Sequence, residues 1–254
     1  MIRYKKRKLL GKNMKSNLKK ELIKVFWIFT FVSCIGCIVE TIVCIVQEGH
    51  FEVRQGVIYG PFIPVYGAGA VLFYLLVPRI TGATTENTKE ISSLKIFVYT
   101  AVLGGITEYL FSYMQECLFG TVSWEYSSLR FNLNGRTSLL HCIYWGLGGI
   151  IFIKWMYPLS TKLDSLANMN RTAKMATTLF FIFMMFNIII SMLAGYRQYE
   201  RMQNISADSS LDRFLDKHYP NSVMDIIFSN KQYTGQEGRE REDKSPFKWL
   251  LEGI

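Results

Sequence analysis

The feature that most constrains this chain is the collection of its apolar residues into five long runs. Half of the 254 residues are hydrophobic, and the charged 19% are concentrated in residues 1–24, in short connections and in residues 197–254. A soluble domain interleaves apolar and charged positions, whereas a membrane-spanning helix needs about 20 consecutive apolar residues. The pattern predicts an all-α, polytopic membrane helix bundle and excludes a disordered chain or a disulfide-stapled secreted module.

About five transmembrane helices are predicted, with the second broken by glycine and proline. The apolar runs are 22–46, 57–77, 94–119, 137–157 and 175–196. Pro78 and Pro158 are predicted to end the second and fourth helices, because the residue before a proline avoids the helical conformation. We expect the first run to be retained as a span rather than removed as an export signal, because it is too long for one.

The predicted organisation has three parts. A basic cytoplasmic arm (1–21) precedes the transmembrane bundle (22–196), and a polar tail (197–254) follows it. Two short amphipathic helices are predicted in the tail, capped by Asp208 and Asn221 and lying on the membrane or against the bundle. Residues 229–245 are polar and are expected to be mobile.

The distribution of Lys and Arg predicts a cytoplasmic N-terminus. Seventeen basic residues then lie inside and three outside, if the tail is left out. Five spans place the tail outside, although it carries nine Lys and Arg, and a half-span near residues 120–136 would reverse that placement. The net charge of +9 does not indicate nucleic-acid binding, because the basic residues flank apolar runs instead of covering a soluble face.

Each predicted helix carries a face of small or polar residues at helical spacing, and these faces should pack inward. Glu40, Glu108, His141 and Asn187 fall at similar depth, in the outer half of the membrane. A charge at that depth costs a few kcal/mol unless it is paired or hydrated. Arg136 and His141 are the nearest candidate partners of the two glutamates, and Arg54 is the third. An outward-facing polar cavity and a structural clasp between one glutamate and Arg136 explain this pattern equally well.

Two loops carry motifs that resemble a known family. The strings are Tyr59-Gly60-Pro61-Phe62-x-Pro64-x-Tyr66-Gly67, Glu108-Tyr109, Trp124-x-Tyr126, Phe131-Asn132-Leu133-Asn134-Gly135-Arg136 and Trp145-Gly146. They resemble the putative ABC-transporter type IV family of bacterial membrane proteins. The resemblance implies a permease in the bacterial plasma membrane, partnered by a separate ATPase. This chain itself contains no phosphate-binding P-loop.

Three functions remain open at this point. The first is a transport component that binds a polar or lipid-like ligand; the others are an intramembrane enzyme acting on a lipid or envelope precursor, and a non-catalytic membrane scaffold or sensor. A non-enzymatic role is favoured, and no catalytic residue, metal ligand or cofactor is assigned. The expected partners are membrane lipid, a separate ATPase and a second copy of the chain, without nucleic acid. The residues predicted to line a ligand site are Glu40, Tyr59, Tyr66, Glu108, Trp124, Tyr126, Asn132, Asn134, Arg136, His141 and Asn187.

Overall fold

The chain is a multi-pass membrane helix bundle. The computed structural model describes residues 2–52, 54–163 and 170–234. Its long helices are α1 (Ile2–Glu48), α2 (Pro64–Thr81), α3 (Ser93–Phe119), α4 (Leu139–Ile151) and α5 (Arg171–Met202). Five segments of the described residues are long and apolar enough to cross a membrane. The predicted fold class is therefore confirmed, and α1 begins well before its membrane-spanning part.

Both proline-based helix ends were predicted wrongly. Pro78 lies inside α2, which continues to Gly82, where a left-handed residue (φ 74°) closes the helix by donating its N–H to the Pro78 carbonyl. After α4 the chain continues through a π-helical turn (Phe152–Met156), an α-helical turn (Tyr157–Leu159) and a 3-10 turn (Ser160–Leu163). Because proline has no N–H to give to the preceding turn, the wide π-turn accommodates Pro158 without ending the span.

The break in the second span is an unwound entrance. The helix begins at Pro64 instead of residue 57, and residues 57–63 are irregular. Their backbone groups are nevertheless bonded: Gly56 N–H donates to the Phe62 carbonyl at 2.9 Å, and Ile63 N–H donates to the Ser33 carbonyl of α1 at 3.0 Å. Irregular backbone at membrane depth is tolerated where protein covers it in this way.

The small-residue faces pack inward, as predicted. Gly36 of α1 lies against the Tyr66 ring, and Gly104 of α3 lies against the Trp145 ring, so that a side chain at either glycine would collide with an aromatic group. Gly148 is the exception, because nothing lies within 4 Å of the place where its Cβ would be. The glycines thus allow the helices to approach closely, and the large rings of α2 and α4 pack against them.

The connections and the tail show which ends of the helices share a side of the membrane. A hairpin joins β2 (Asn132–Leu133) to β3 (Thr137–Ser138), and β1 (Thr121–Val122) pairs with β4 (Gln232–Tyr233) of the tail. The α3–α4 connection is therefore a set of turns and short strands rather than a half-span. The tail lies on the side of this connection, opposite to the membrane-entry end of α1.

The tail helices pack against the bundle. They are α6 (Ser210–His218) and α7 (Asn221–Ile227), and Leu215 and Met224 are buried with Ile58 and Ala194. Ser209, not Asp208, caps α6, since its hydroxyl accepts from Asp212 N–H while the Asp212 carboxylate accepts from Ser209 N–H. Pro220, not the predicted Asn221, occupies the N-cap position of α7, and no side chain caps this helix.

The prediction of a mobile segment from residue 229 onward was wrong for its first part. Residues 232–233 form β4, and Thr234 N–H donates to the Gly120 carbonyl at 2.9 Å. Backbone hydrogen bonds with β1 order this segment, although its polar composition predicted mobility. Residues 235–245 lie outside the described residues.

Candidate functional site

Two glutamates on different helices reach a shared polar region of the bundle. Glu40 of α1 accepts a hydrogen bond from the Tyr66 hydroxyl of α2. The Tyr66 ring packs against Trp145 of α4, with ring centroids 5.4 Å apart. Three helices therefore meet around this carboxylate and its tyrosine.

Glu108 of α3 is buried and accepts hydrogen bonds on both carboxylate oxygens. The Thr137 hydroxyl donates to Oε2 at 2.7 Å, and the Tyr126 hydroxyl donates to Oε1 at 3.2 Å. Trp145 of α4 lies nearby, with its ring against Gly104, one turn before Glu108 on α3. Every one of these partners is a neutral group.

The start of α4 positions His141 beside Tyr126. The Ser138 hydroxyl caps the helix by accepting from His141 N–H, and it also shares a hydrogen bond with His141 Nδ1 at 2.8 Å. The held imidazole stacks on the Tyr126 ring, with centroids 3.7 Å apart and an angle of 14° between the planes. One serine therefore begins the helix and orients the ring that supports Tyr126.

The charges of both carboxylates act on Tyr126. Burial, followed by the charges of Glu108 and Glu40, raises the pKa of Tyr126 well above its ordinary range. The Tyr126 hydroxyl is therefore a neutral hydrogen-bond donor at any physiological pH. We call Glu40, Tyr66, Glu108, Tyr126 and His141 the carboxylate–tyrosine cluster.

The two arginines predicted as partners of the glutamates lie elsewhere, whereas His141, the other predicted partner, stacks on Tyr126. Arg136 forms an ion pair with Glu116 and lies over the Tyr109 and Tyr113 rings at 5.8 and 5.4 Å. Among the described residues, neither Glu40 nor Glu108 forms an ion pair. The predicted clasp between a glutamate of the cluster and Arg136 was wrong, because Glu116, two turns beyond Glu108 on α3, takes the guanidinium.

Arg54 was the third predicted partner, and it lies against another acid. Its Nη2 is 3.4 Å from Glu52 Oε2. The prediction placed Arg54 with the glutamates by depth alone. The loop instead pairs it with its near neighbour in sequence.

Several predicted site residues order the α3–α4 connection. Trp124 Nε1 donates to the Arg136 carbonyl at 2.9 Å, and Asn134 Nδ2 donates to the Tyr109 hydroxyl at 3.1 Å. Asn132 Nδ2 donates to the Leu129 carbonyl at 2.8 Å. Asn134 and Gly135 have positive φ of 53° and 66°, which confirms the predicted tight turn. These contacts hold Tyr126 and Thr137 over Glu108.

Asn187 and Tyr59 form a separate joint. The fully buried Asn187 amide accepts from Tyr59 N–H at 3.0 Å and donates to the Tyr59 carbonyl at 2.6 Å. The Tyr59 and Tyr219 hydroxyls share a hydrogen bond at 2.7 Å, and burial followed by this bond raises the pKa of Tyr219 to about 12. Both residues thus connect α5, the unwound entrance of α2 and the tail.

Sequence reasoning missed Thr137 and Trp145 as neighbours of Glu108, and it missed Glu116 as the partner of Arg136. A Thr-Ser pair directly before an apolar run is a helix-capping signal, and it could have placed Thr137 and Ser138 at the start of α4. No signal in the sequence distinguishes Glu116 from Glu108 as the acid that faces Arg136. Among the described residues, the set of His, Cys and acidic side chains with metal-ligand spacing lies outside this cluster, around Cys44.

The comparison with known families agrees with the resemblance seen in the loop motifs. Residues 27–192 match the family model described as Putative ABC-transporter type IV, and this segment contains the whole carboxylate–tyrosine cluster but not the tail helices. No curated protein and no solved structure matches the chain. Because the matched segment is well over half of the chain, the protein belongs to the putative ABC-transporter type IV family.

Proposed function

We propose that this chain is the permease component of a transport system and that the carboxylate–tyrosine cluster binds a ligand bearing a cationic group. The observation that carries the proposal is that Glu40 and Glu108 have hydroxyl partners and no cationic partner among the described residues. An ionised carboxylate within a bundle requires compensation. A positively charged ligand supplies it.

The neighbouring rings strengthen this choice of ligand. Carboxylates and aromatic faces together are the typical surroundings of ammonium groups, because both present negative potential to a cation. Tyr66, Tyr126 and Trp145 provide those rings beside the two acids. A carboxylate oxygen can accept more than one hydrogen bond, so a ligand can bind without displacing the Tyr126 or Thr137 hydroxyl.

The orientation follows from charge. We place the N-terminus in the cytoplasm of a bacterial cell, because basic residues flanking spans favour that side. The cluster then lies toward the outer surface, as do the α1–α2 and α3–α4 connections and the tail. Three of the tail's basic residues support this placement, because Arg197, Arg201 and Lys231 are engaged with acidic side chains.

The proposed partners are a separate ATPase, membrane lipid and a second copy of the chain. The chain has no P-loop, so the energy of ATP would have to come from another subunit. Five spans are few for a complete transport pathway, which favours a dimer. The ATPase would bind the cytoplasmic face, which carries the N-terminal arm and the α2–α3 connection.

The test is purification of the full chain in mild detergent, followed by mass spectrometry of bound small molecules and co-purifying proteins. We expect an ATPase and a cationic small molecule with the unchanged protein, and at least tenfold less of the small molecule with Glu108→Gln. Glu90→Gln, an exposed acid in the α2–α3 connection, is the matched control and should leave both unchanged. Equal ligand content in Glu108→Gln would overturn the binding site, and failure of that variant to accumulate would identify Glu108 as structural.

A further inference from the structure

A second group of polar side chains lies where α1 ends. The Cys44 thiol, the His50 imidazole and the Glu52 carboxylate each place one ligand atom within 4.8 Å of the others. His50 Nε2 is 3.3 Å from Glu52 Oε2, and Cys44 Sγ is 3.9 Å from the same oxygen. The three residues belong to the last turns of α1 and to the connection that follows.

Two of these separations are close to those between ligands around one tetrahedral ion. With Zn–N and Zn–O bonds of about 2.0 Å and a Zn–S bond of about 2.3 Å, tetrahedral geometry separates N from O by about 3.3 Å and S from O by about 3.5 Å. The observed distances are equal to the first value and within a few tenths of an ångström of the second. The third pair, Cys44 Sγ and the His50 ring nitrogen, lies within 4.8 Å, so side-chain adjustment must bring all three atoms around one ion.

The surroundings already stabilise positive charge at this place. Arg54 Nη2 lies 3.4 Å from Cys44 Sγ and 3.4 Å from Glu52 Oε2, so one cationic group faces two of the three ligand atoms. Cys44 is buried, while the His50 side chain is 56% exposed, which leaves an approach from the aqueous side. A divalent ion bound by a thiolate and a carboxylate would be electrically balanced.

We propose that Cys44, His50 and Glu52 form a binding site for a divalent ion of the zinc type, with water as the fourth ligand. A mixed set of sulfur, nitrogen and oxygen ligands favours Zn²⁺ or Co²⁺ and disfavours Mg²⁺ and Ca²⁺, which take oxygen ligands. Binding releases the thiol proton and displaces the Arg54 guanidinium. The ion would join the α1–α2 connection to the end of α1, independently of the transport ligand.

The test uses Co²⁺ as a spectroscopic probe on the full chain in detergent. Cys117 is exposed and is replaced by Ser in every sample, so that it cannot bind the probe. We expect a sulfur-to-cobalt charge-transfer band that Zn²⁺ abolishes and that excess Mg²⁺ or Ca²⁺ leaves unchanged. Absence of the band, or its loss with Mg²⁺, would overturn the proposal.

Four variants test the proposed arrangement. Cys44→Ser should abolish the band, His50→Ala should weaken Co²⁺ binding at least tenfold, and the control Cys34→Ser should leave it unchanged. Because His50 is mostly exposed, its replacement tests the site even if Cys44→Ser folds poorly. Arg54→Gln should tighten Co²⁺ binding at least tenfold by removing the competing cation. A band that persists in Cys44→Ser, or weaker binding in Arg54→Gln, would contradict the proposed arrangement.

Discussion

Acidic side chains find hydrogen-bond partners in two different ways in the carboxylate–tyrosine cluster and in the tail. In the carboxylate–tyrosine cluster, Glu108 accepts from the Thr137 and Tyr126 hydroxyls. In the tail, Asp216 accepts two hydrogen bonds from Arg197, both at 3.0 Å, and a third from Arg201 at 2.6 Å. We call this group of Arg197, Arg201 and Asp216 the tail joint.

The difference distinguishes a site suited to binding a ligand from a site suited to fixing the tail against the bundle. Neutral donors orient a carboxylate but leave its charge for another group, whereas two guanidinium groups use both its charge and its lone pairs. Gln198, Asp225 and Lys231 extend the tail joint by further hydrogen bonds. We therefore interpret the tail joint as structural and the cluster as the place for a ligand.

The largest expected effect is from Arg197→Ala. Its guanidinium is 3% exposed and pairs with Asp216 and Glu200, and removal of one partner of a buried ion pair costs about 3 kcal/mol. We expect fast amide hydrogen exchange in residues 205–234 and unchanged exchange in α1–α4. Lys217→Ala, at an exposed position of α6, is the control. Equal protection of the tail in both variants would show that α6 and α7 dock by apolar contacts alone.

Gly104→Val should disturb the cluster and leave the tail intact. A side chain at this glycine would overlap the Trp145 ring, and overpacking a core costs about 1–3 kcal/mol. Gly148→Val is the matched control on α4, where a Cβ meets nothing within 4 Å. Thermal unfolding in detergent should show a lower Tm for the first variant only. Equal Tm values would mean that the bundle is loosely packed around Trp145.

Ser138→Ala tests whether the cluster depends on the start of α4. Loss of a helix cap costs about 1 kcal/mol, and this variant also frees the His141 ring. Asn170→Ala removes the equivalent cap of α5, where Asn170 Oδ1 accepts from Ala173 N–H at 2.9 Å, far from the cluster in sequence. Both variants should unfold at similarly reduced Tm, and only Ser138→Ala should lose bound ligand. Retention of the ligand by Ser138→Ala would remove His141 from the binding surface.

The smallest expected effect is that of acidity on the tail joint. The two hydrogen bonds from Arg197, and then the one from Arg201, lower the pKa of Asp216 below its ordinary value of 3.8. A carboxyl group with a lowered folded-state pKa contributes stability above its unfolded pKa, and this contribution is lost as the pH falls through the folded pKa. Tail protection in hydrogen exchange should thus be constant from neutral pH to about pH 5 and decrease below about pH 4.

Asp216→Asn supplies the control for the acid experiment. The amide cannot be ionised. The tail of this variant should therefore be less protected at neutral pH, and its protection should change less on acidification. An equally steep loss of protection in this variant would assign the acid response to another group, such as Asp212 or Asp225, since the pKa of each is also lowered.

Local sequence patterns predicted the helices better than they predicted the neighbours of the glutamates. The five spans, the inward small residues and the Asn134-Gly135 turn were recognisable because each depends on residues a few positions apart. The depth argument grouped Asn187 with Glu40 and Glu108. The structure instead places it against Tyr59, because depth gives a residue's height in the membrane but not its direction around the bundle.

The sequence by itself determined that this is a multi-pass membrane protein with five predicted spans and with acids within them. Hydropathy and helical period are properties of single segments, so no knowledge of packing is needed. Only the tertiary structure decided that Glu108 meets hydroxyl groups while Arg136 meets Glu116, and that the tail docks against α5. These pairings join residues from different helices and loops, and they depend on the rotation and close approach of those elements, which only their mutual packing sets.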